Sequence, residues 1–283
     1  MKYVLFLNGE RGLSILKKLK KKKSLKLNSV VCCQRSIKEK LKKIIDINKI
    51  LYLQNINSKI SFLKLKNFDT DIFIIAGYPQ IFSKKVIAIP KLISINLHGG
   101  SVPNYRGGSP LNWQIINNEK NIGISILTMN SKIDGGKLIQ KAKFKLKVKD
   151  DISSVHKKAN KLFFHMLMKA LKKIKKENLK NIFLKKKGKS KYWYQRNDSD
   201  GYLDYKDKSA FECYNFIRAI TKPYLGAWIK EKIGKKKCLI RLYDSKILKK
   251  KLKINKIVIN NKKIILPCKN SYIQINNYKI QSA

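Results

Sequence analysis

The stretch Tyr3-Val4-Leu5-Phe6-Leu7-Asn8-Gly9-Glu10-Arg11-Gly12 decides the fold class of this chain. Its first half is a short apolar run of the kind that forms a buried strand, and its second half is a glycine-containing turn. After the turn, apolar residues recur at helical spacing, at Leu13, Ile15, Leu16 and Leu19. The sequence therefore predicts a strand, a turn and a helix at the N-terminus.

The same alternation continues along the first half of the chain. Further strands are predicted at Ser29–Cys33, Ile50–Leu53, Asp71–Ala76, Leu92–Leu97 and Ile122–Met129. Helical segments between several of them indicate an α/β fold with a mostly parallel sheet. The opening resembles a Rossmann-type start, but it lacks the GxGxxG pattern and an acidic residue placed to bind a ribose. We therefore expect no nicotinamide cofactor.

The second half of the chain changes character. A long amphipathic helix is predicted over Asp151–Lys176, and the lysine-rich run Lys185–Lys189 is interpreted as a solvated linker. A helix near Ser209–Ile220 follows, with short strands near Cys238–Tyr243, Ile257–Ile259, Ile264–Leu266 and Tyr272–Ile275. We predict a Rossmann-like catalytic domain at 1–185 and a small β-rich C-terminal domain at 190–283.

Composition restricts the class of protein. Hydrophobic residues make up 43% of the 283 residues, which is typical of a globular chain. No apolar run approaches the ~18 residues of a membrane helix, and the first apolar run is too short for a signal peptide. The five cysteines show no metal-binding spacing, so we expect reduced thiols and no metal. A cytoplasmic location is the expectation.

The formal net charge of +48 has two explanations that the sequence leaves open. Only six of the 65 basic residues are arginines, and the lysines are spread through every segment. This pattern is typical of compositional drift in an AT-rich genome, whereas nucleic-acid readers usually rely on arginine. A functional basic surface is the other explanation. In either case anionic substrates would be attracted.

Three polar side chains lie beside glycine-rich turns that follow predicted strands. Asn96 and His98 are two residues apart, so on one strand they point to the same side. Asp134 lies in the turn Ile133-Asp134-Gly135-Gly136 and would reach them if its loop folds back. Each element is common by itself, since Asp-Gly-Gly is an ordinary turn. His156 and His165, which flank the apolar stripe of the long predicted helix, are interpreted as surface or boundary residues.

Together these three residues suit acyl transfer. The reaction needs a donor for the developing oxyanion, a base for the attacking amine and a group that orients the base. We expect Asn96 to supply the donor, His98 to accept the proton, and Asp134 to orient His98 or order a water. No serine or cysteine lies in a nucleophile elbow, so direct transfer is favoured over a covalent intermediate.

The run Ser94–Pro110, SINLHGGSVPNYRGGSP, resembles the signature of the folate-dependent formyltransferases. In that family a strand ends in Asn-x-His and is followed by a Leu-Pro-x-Tyr-Arg-Gly loop. Val102 stands where leucine is usual. The segments Gly123–Ile126 and Ile133–Ile139 are similar to the family's second block. Weaker similarity at Asp200–Tyr205 and Ile217–Ala227 looks like the start of the C-terminal domain of longer members.

The resemblance implies site residues and a formyl donor. Asn96, His98 and Asp134 would be catalytic, and 10-formyltetrahydrofolate would be the donor. Its pterin would bind against the loop after the fourth strand and the loop around Asp134, largely through backbone groups. The implied cofactor-binding residues are Gly77, Tyr78, Pro79, Gln80, Ile81, Ile133 and Gly135.

Within the family, two branches fit a chain of this length. Methionyl-tRNA formyltransferases carry a basic insertion after the second strand, whereas here Cys33-Gln34-Arg35 leads straight into a predicted helix over Ser36–Ile45. The block Gly107–Asn117 looks closer to the nucleotide-sugar N-formyltransferases of surface polysaccharide synthesis. We therefore favour a nucleotide-linked amino sugar as acceptor.

The acceptor site and the alternatives complete the interpretation. Arg106, Gly107 and Trp113 are the expected substrate-binding residues, with Trp113 a core residue in the alternative explanation. Methionyl-tRNA as acceptor is the alternative function, and a non-enzymatic basic nucleic-acid-binding protein is a further one. A homodimer is consistent with the sugar branch.

Overall fold

The computed structural model describes residues 1–176, 179, 181–234, 236–248, 252, 254–260 and 263–282. The chain forms two compact units, each assembled from three stretches. Unit 1 contains Met1–Gly107, Gly123–Lys143 and Lys158–Tyr192, and unit 2 contains Gly108–Ile122, Phe144–Lys157 and Trp193–Ala283. The division at 1–185 and 190–283 stays a prediction about which parts of the chain fold on their own.

The strands form two main sheets. Their bounds are β1 Lys2–Leu7, β2 Lys26–Cys32, β3 Ile50–Tyr52, β4 Ile72–Ala76, β5 Ile93–His98, β6 Arg106–Gly107, β7 Asn121–Thr128, β8 Leu138–Lys145, β9 Tyr192–Trp193, β10 Ala227–Ile233, β11 Lys236–Leu248, β12 Val258–Asn260, β13 Lys263–Pro267 and β14 Tyr272–Ser282.

A seven-stranded sheet has the order β3-β2-β1-β4-β5-β7-β8. The pairs β1–β2, β1–β4, β2–β3 and β4–β5 are parallel, and β5–β7 is antiparallel. The five strands of the second sheet, in unit 2, have the order β10-β11-β14-β13-β12 and pair antiparallel where register is defined. The predicted fold class, a Rossmann-like mostly parallel sheet followed by a β-rich C-terminal part, is confirmed.

The helices follow the predicted periodicity. Their bounds are α1 Glu10–Leu19, α2 Arg35–Lys42, α3 Lys59–Lys66, α4 Lys84–Ile87, α5 Pro110–Ile116, α6 Ile152–Lys176 and α7 Ala210–Ile220. Helix α7 begins with a capping box, in which Ser209 and Glu212 satisfy each other's backbone N–H groups. The predicted helix near Ser209–Ile220 is therefore confirmed, with a side-chain reason for its start.

The core of unit 1 is built on β1 and β4. Every residue of β4 is buried, as a parallel strand covered on both faces should be. Phe6 on β1 lies at the centre of an aromatic cluster, with ring centroids 4.9 Å from Phe73, 5.8 Å from Tyr78 and 5.1 Å from Phe82. This packing fixes the carboxyl ends of the strands, from which the loops of the candidate site emerge.

Strand β8 was not expected from the sequence. Its segment LIQKAKFK is interrupted by Lys141, Lys143 and Lys145, which are exposed, while Ala142 and Phe144 between them are half-buried. Because β8 is the last strand of the sheet order, one side of it can carry charge, and edge strands commonly do. The alternation is a strand pattern, hidden by the high lysine content.

Two further findings concern the described residues. Within them, no helix has the length and apolar character needed to cross a bilayer. The same residues contain no group of His, Cys, Asp and Glu side chains arranged to hold a metal ion. The five cysteines are free thiols.

Candidate active site

Strand β5 carries Asn96 and His98 on one face, and both reach the same carboxylate. Asn96 Nδ2 donates to Asp134 Oδ1 at 3.1 Å, and His98 Nδ1 lies 3.4 Å from Asp134 Oδ2. Leu97, between them, is buried on the opposite face. The side chains of His98 and Asp134 are only 6% and 8% exposed. The structure thus brings the three predicted catalytic residues together in a site with little contact with solvent.

Asp134 is presented by an unusual turn after β7. Its φ of 47° lies in the left-handed region, which a residue other than glycine rarely adopts. The backbone N–H of Gly107 donates to Asp134 Oδ2 at 2.9 Å. At Gly136 a side chain is excluded, because a Cβ there would lie 1.7 Å from the carbonyl oxygen of Thr128. These contacts fix both the backbone and the carboxylate of Asp134.

The His98 ring is oriented by a backbone carbonyl. Its Nε2 lies 2.6 Å from the carbonyl oxygen of Tyr105, and a carbonyl can only accept. Nε2 therefore carries the ring proton. The distance of 3.4 Å between Nδ1 and Asp134 is too long for a good hydrogen bond. The loop after β5 thus folds back so that the Tyr105 carbonyl orients the ring, and the expected orienting role of Asp134 stays a prediction.

Burial decides the charge of the imidazole. Burial lowers the pKa of His98, and the nearby Arg11 and Arg106 lower it further, against the opposing effects of Asp134 and the Tyr105 carbonyl. A neutral ring with its proton on Nε2 has an unshared electron pair on Nδ1. Nδ1 is therefore the atom able to accept a proton, on the side that faces Asp134.

Two residues that sequence reasoning missed support this arrangement. A Cβ at Gly100 would lie 2.0 Å from the Tyr105 oxygen and 2.5 Å from His98 Nε2, so only glycine leaves room for their hydrogen bond. Ser125 Oγ donates to the Gly100 carbonyl at 2.8 Å and accepts from the Val102 N–H at 3.3 Å. The glycine doublet was a visible signal for Gly100, whereas nothing in the sequence marked Ser125.

The loop expected to bind the formyl donor exposes one glycine and two apolar side chains. Gly77 has a φ of 81° and open space where a Cβ would be. The Tyr78 ring is buried in the core, and Gln80 anchors the loop, accepting from the Ile56 N–H at 2.7 Å and donating to the Gln54 carbonyl at 2.6 Å. The exposed residues of the loop are Gly77, Pro79 and Ile81.

The residues expected to bind the acceptor lie in different surroundings. Arg106 Nε and Nη2 donate to the Ile133 carbonyl at 3.0 and 2.7 Å, so this side chain holds the loop of Asp134. Gly107 contributes its N–H to Asp134, as described above.

Trp113 is 8% exposed, its ring lies 4.8 Å from that of Trp193, and its Nε1 donates to the Tyr194 carbonyl at 3.0 Å. Trp113 is therefore a core residue of unit 2.

One lysine of the run interpreted as a solvated linker turns toward the site, whereas Lys185, Lys187 and Lys189 are exposed as expected. Leu184 N–H donates to the Leu138 carbonyl at 2.7 Å, and Lys186 Nζ donates to the Gly135 carbonyl at 3.1 Å. Farther along, Lys191 N–H donates to the Pro103 carbonyl at 3.0 Å. The segment 184–191, called the strap below, thus contacts both the loop that contains Asp134 and the loop that follows β5. The expectation of a solvated segment holds for the other lysines of the run, and Lys186 is the exception.

His156 and His165 lie outside this cluster. His156 Nε2 is 3.1 Å from the Tyr224 hydroxyl within unit 2, and His165 is exposed. The half-buried His156 and the exposed His165 agree with their interpretation as boundary or surface residues.

This chain is similar to several known proteins. Residues 14–171 match the family model described as formyl transferase. The chain is 35% identical over 226 residues to the bifunctional polymyxin resistance protein ArnA of Wigglesworthia glossinidia brevipalpis, covering 80% of this chain and 34% of that protein. It is 27% identical over 228 residues to the methionyl-tRNA formyltransferase of Flavobacterium psychrophilum, covering 80% and 71%. The chain thus spans about a third of the length of ArnA.

A solved structure shows the same fold. The crystal structure of WlaRD, a sugar 3N-formyl transferase in the presence of dTDP and 5-N-formyl-THF, has a TM-score of 0.70 with this chain. The identity is 19%, and the superposition covers 98% of this chain and 97% of WlaRD.

Gly100→Ala should inactivate the site without unfolding the protein. The added methyl group collides with the Tyr105 carbonyl and the His98 ring, and a misplacement of about 1 Å can cost roughly 100-fold in rate. The measurement is kcat for formyl transfer. Gly9→Ala is the matched control, because a Cβ there meets no atom within 4 Å. Equal rates for the two variants would contradict the role of the Tyr105 carbonyl.

The protonation state of His98 can be observed directly. In ¹⁵N-histidine NMR we expect the Nε2–H tautomer and a protonation midpoint below the ordinary value of about 6.5. The rate should fall as the pH falls through that midpoint, because the base becomes protonated. Asp134→Asn should lower the midpoint further, since the carboxylate stabilises the imidazolium. An Nδ1–H tautomer would contradict the assignment, and loss of the signal in His98→Gln identifies it.

Proposed function

Since this chain belongs to the formyl transferase family, we propose that it transfers the formyl group of 10-formyltetrahydrofolate to the amino group of a nucleotide-linked amino sugar. The observation that carries the reaction type is the buried cluster of Asn96, His98 and Asp134. Formyl transfer to an amine needs a donor for an oxyanion and a base for a proton, and this cluster contains one of each.

Two loops of unit 1 are available to bind the formyl donor. Ile81 and Ile133 are 66% and 40% exposed, one on the loop after β4 and the other beside Asp134. Apolar side chains that face solvent suit the faces of a pterin ring, and the backbone at Gly77 supplies polar groups. The proposed donor-binding residues are Gly77, Tyr78, Pro79, Gln80, Ile81, Ile133 and Gly135, with Tyr78 and Gln80 acting by shaping the loop.

Each member of the cluster has a separate part in the proposed mechanism. The amine nitrogen attacks the formyl carbon, a C–N bond forms, and the carbonyl oxygen gains negative charge. One N–H of Asn96 is held by Asp134, and its second N–H is the proposed donor to that oxygen. His98 Nδ1 accepts the proton of the attacking amine, and the adjacent Asp134 carboxylate stabilises the imidazolium.

The reaction is completed by breaking the bond between the formyl carbon and N10 of the donor. N10 leaves with the electron pair and takes up the proton that His98 holds. The products are the formamide and tetrahydrofolate, and the imidazole returns to its neutral state. No covalent intermediate on the protein is required.

The choice of a sugar acceptor is supported by the connection between β2 and α2. Strand β2 ends at Cys32 and α2 begins at Arg35, so two residues join them. This connection has no room for the basic insertion that methionyl-tRNA formyltransferases carry there. The Ser109-Pro110-Leu111-Asn112-Trp113 segment, similar to the sugar branch, adds to this support.

Methionyl-tRNA is the second candidate acceptor. The similarity to methionyl-tRNA formyltransferases and the net charge of +48 favour it, because lysines that neutralise phosphates strengthen RNA binding. A basic nucleic-acid-binding protein without catalysis is disfavoured, since such a protein would have no use for a buried Asn-His-Asp cluster.

The deciding experiment supplies 10-formyltetrahydrofolate with initiator methionyl-tRNA or with nucleotide-linked 3-amino and 4-amino sugars. We expect turnover on a sugar and none on the tRNA. His98→Ala should lower turnover by at least about 100-fold, the lower range for general base catalysis. Turnover on the tRNA alone would overturn the acceptor assignment, and near-normal turnover by His98→Ala would overturn the mechanism.

A further inference from the structure

Two cationic side chains hold the backbone on either side of Asp134. The guanidinium of Arg106 donates twice to the Ile133 carbonyl, at 3.0 and 2.7 Å. The ammonium of Lys186 donates to the Gly135 carbonyl at 3.1 Å. The backbone carbonyls of the residues before and after Asp134 are therefore bound by cations from two distant parts of the chain.

These contacts of Arg106 and Lys186 matter because the turn at Asp134 is strained. The φ of 47° at Asp134 costs free energy, and a conformation of that kind persists only where its surroundings impose it. The Asp134 carboxylate meets Asn96 at one oxygen and the Gly107 N–H at the other. A relaxed turn would move that carboxylate away from both donors and from the His98 ring.

Arg106 is itself anchored by the strap, and Lys186 is partly shielded from solvent. Arg106 Nη1 donates to Ser190 Oγ at 3.0 Å, and the Arg106 backbone N–H donates to the Lys191 carbonyl at 3.1 Å. Lys186 is half-buried, and its burial and the nearness of Arg106 lower its pKa. Bringing two like charges together is unfavourable. The Asp134 carboxylate and the two carbonyl oxygens offset that cost.

We infer that Arg106 and Lys186 are positioning residues, which hold the strained turn so that the Asp134 carboxylate faces Nδ1 of His98. The inference rests on the proposed role of Asp134 in formyl transfer. It replaces the expectation that Arg106 contacts the acceptor, because the donors of its guanidinium are directed at Ile133 and Ser190. It also gives a function to one lysine of the strap.

The strap supplies matched controls for Lys186. Lys185 and Lys187 are exposed, and their replacement changes the net charge by the same amount. Lys186→Met should lower kcat about tenfold, less than the roughly 100-fold cost of a 1 Å misplacement, and leave the KM of the acceptor within about twofold. Lys187→Met should change neither kcat nor KM. Lys186→Arg keeps a donor and should retain kcat within about twofold.

Arg106 is tested in the same way. Arg106→Gln should lower kcat about 100-fold, and Arg106→Lys should recover part of that loss because it restores a charged donor. Since both side chains hold one turn, the double variant Arg106→Gln/Lys186→Met should lose less than the product of the single losses. Multiplicative losses would mean that the two residues act separately and would overturn the shared role.

NMR of His98 separates positioning from charge and needs no acceptor. If Lys186 supplied only positive charge, Lys186→Met would raise the protonation midpoint of His98. If Lys186 positions Asp134, the carboxylate withdraws and the midpoint falls. Lys187→Met should leave it unchanged. A failure to find an acceptor would leave this measurement intact, so failure of the proposed function and failure of this inference are distinguishable.

Three further results would overturn the inference. The first is a kcat for Lys186→Met equal to that of Lys187→Met. The second is a raised acceptor KM with an unchanged kcat, which would make Lys186 a substrate contact. The third is a rise in the His98 midpoint. Should Lys186→Met fail to fold by circular dichroism, Lys186→Gln provides the same loss of charge with a polar side chain.

Discussion

The hydrogen bond between His98 Nε2 and the Tyr105 carbonyl is the constraint on which the site depends. It fixes the tautomer of a buried imidazole and directs Nδ1 toward Asp134. Gly100 leaves room for it, and Ser125 holds the Gly100 carbonyl from the neighbouring strand. The chemistry of one side chain is thus set mainly by the path of a backbone loop.

Much of the architecture could be predicted from periodicity, because buried parallel strands are continuous apolar runs and amphipathic helices repeat at three to four residues. The meeting of Asn96 and His98 on one side followed from the two-residue repeat of a strand. Strand β8 escaped prediction, since lysines on its exposed side concealed the alternation.

The finer features of the site could not be predicted from the sequence for a different reason. A carbonyl such as that of Tyr105 has no side-chain signature, so its partner cannot be found from residue types. The role of Lys186 escaped prediction because a lysine run has the composition of a solvated segment, and only the fold shows which lysine turns inward. Trp113 could be core or cleft by composition, and its aromatic neighbours in unit 2 decide for the core.

The match to the family covers residues 14–171, yet Lys186 and Ser190 lie beyond it. The three residues of the site and the strap residues that position Asp134 are therefore encoded in different parts of the gene. During synthesis, Asn96, His98 and Asp134 leave the ribosome well before the strap that closes over their loops. A nascent chain, or a fragment cut where the family match ends, would contain Asn96, His98 and Asp134. It would still lack the side chains that hold the Asp134 carboxylate in position.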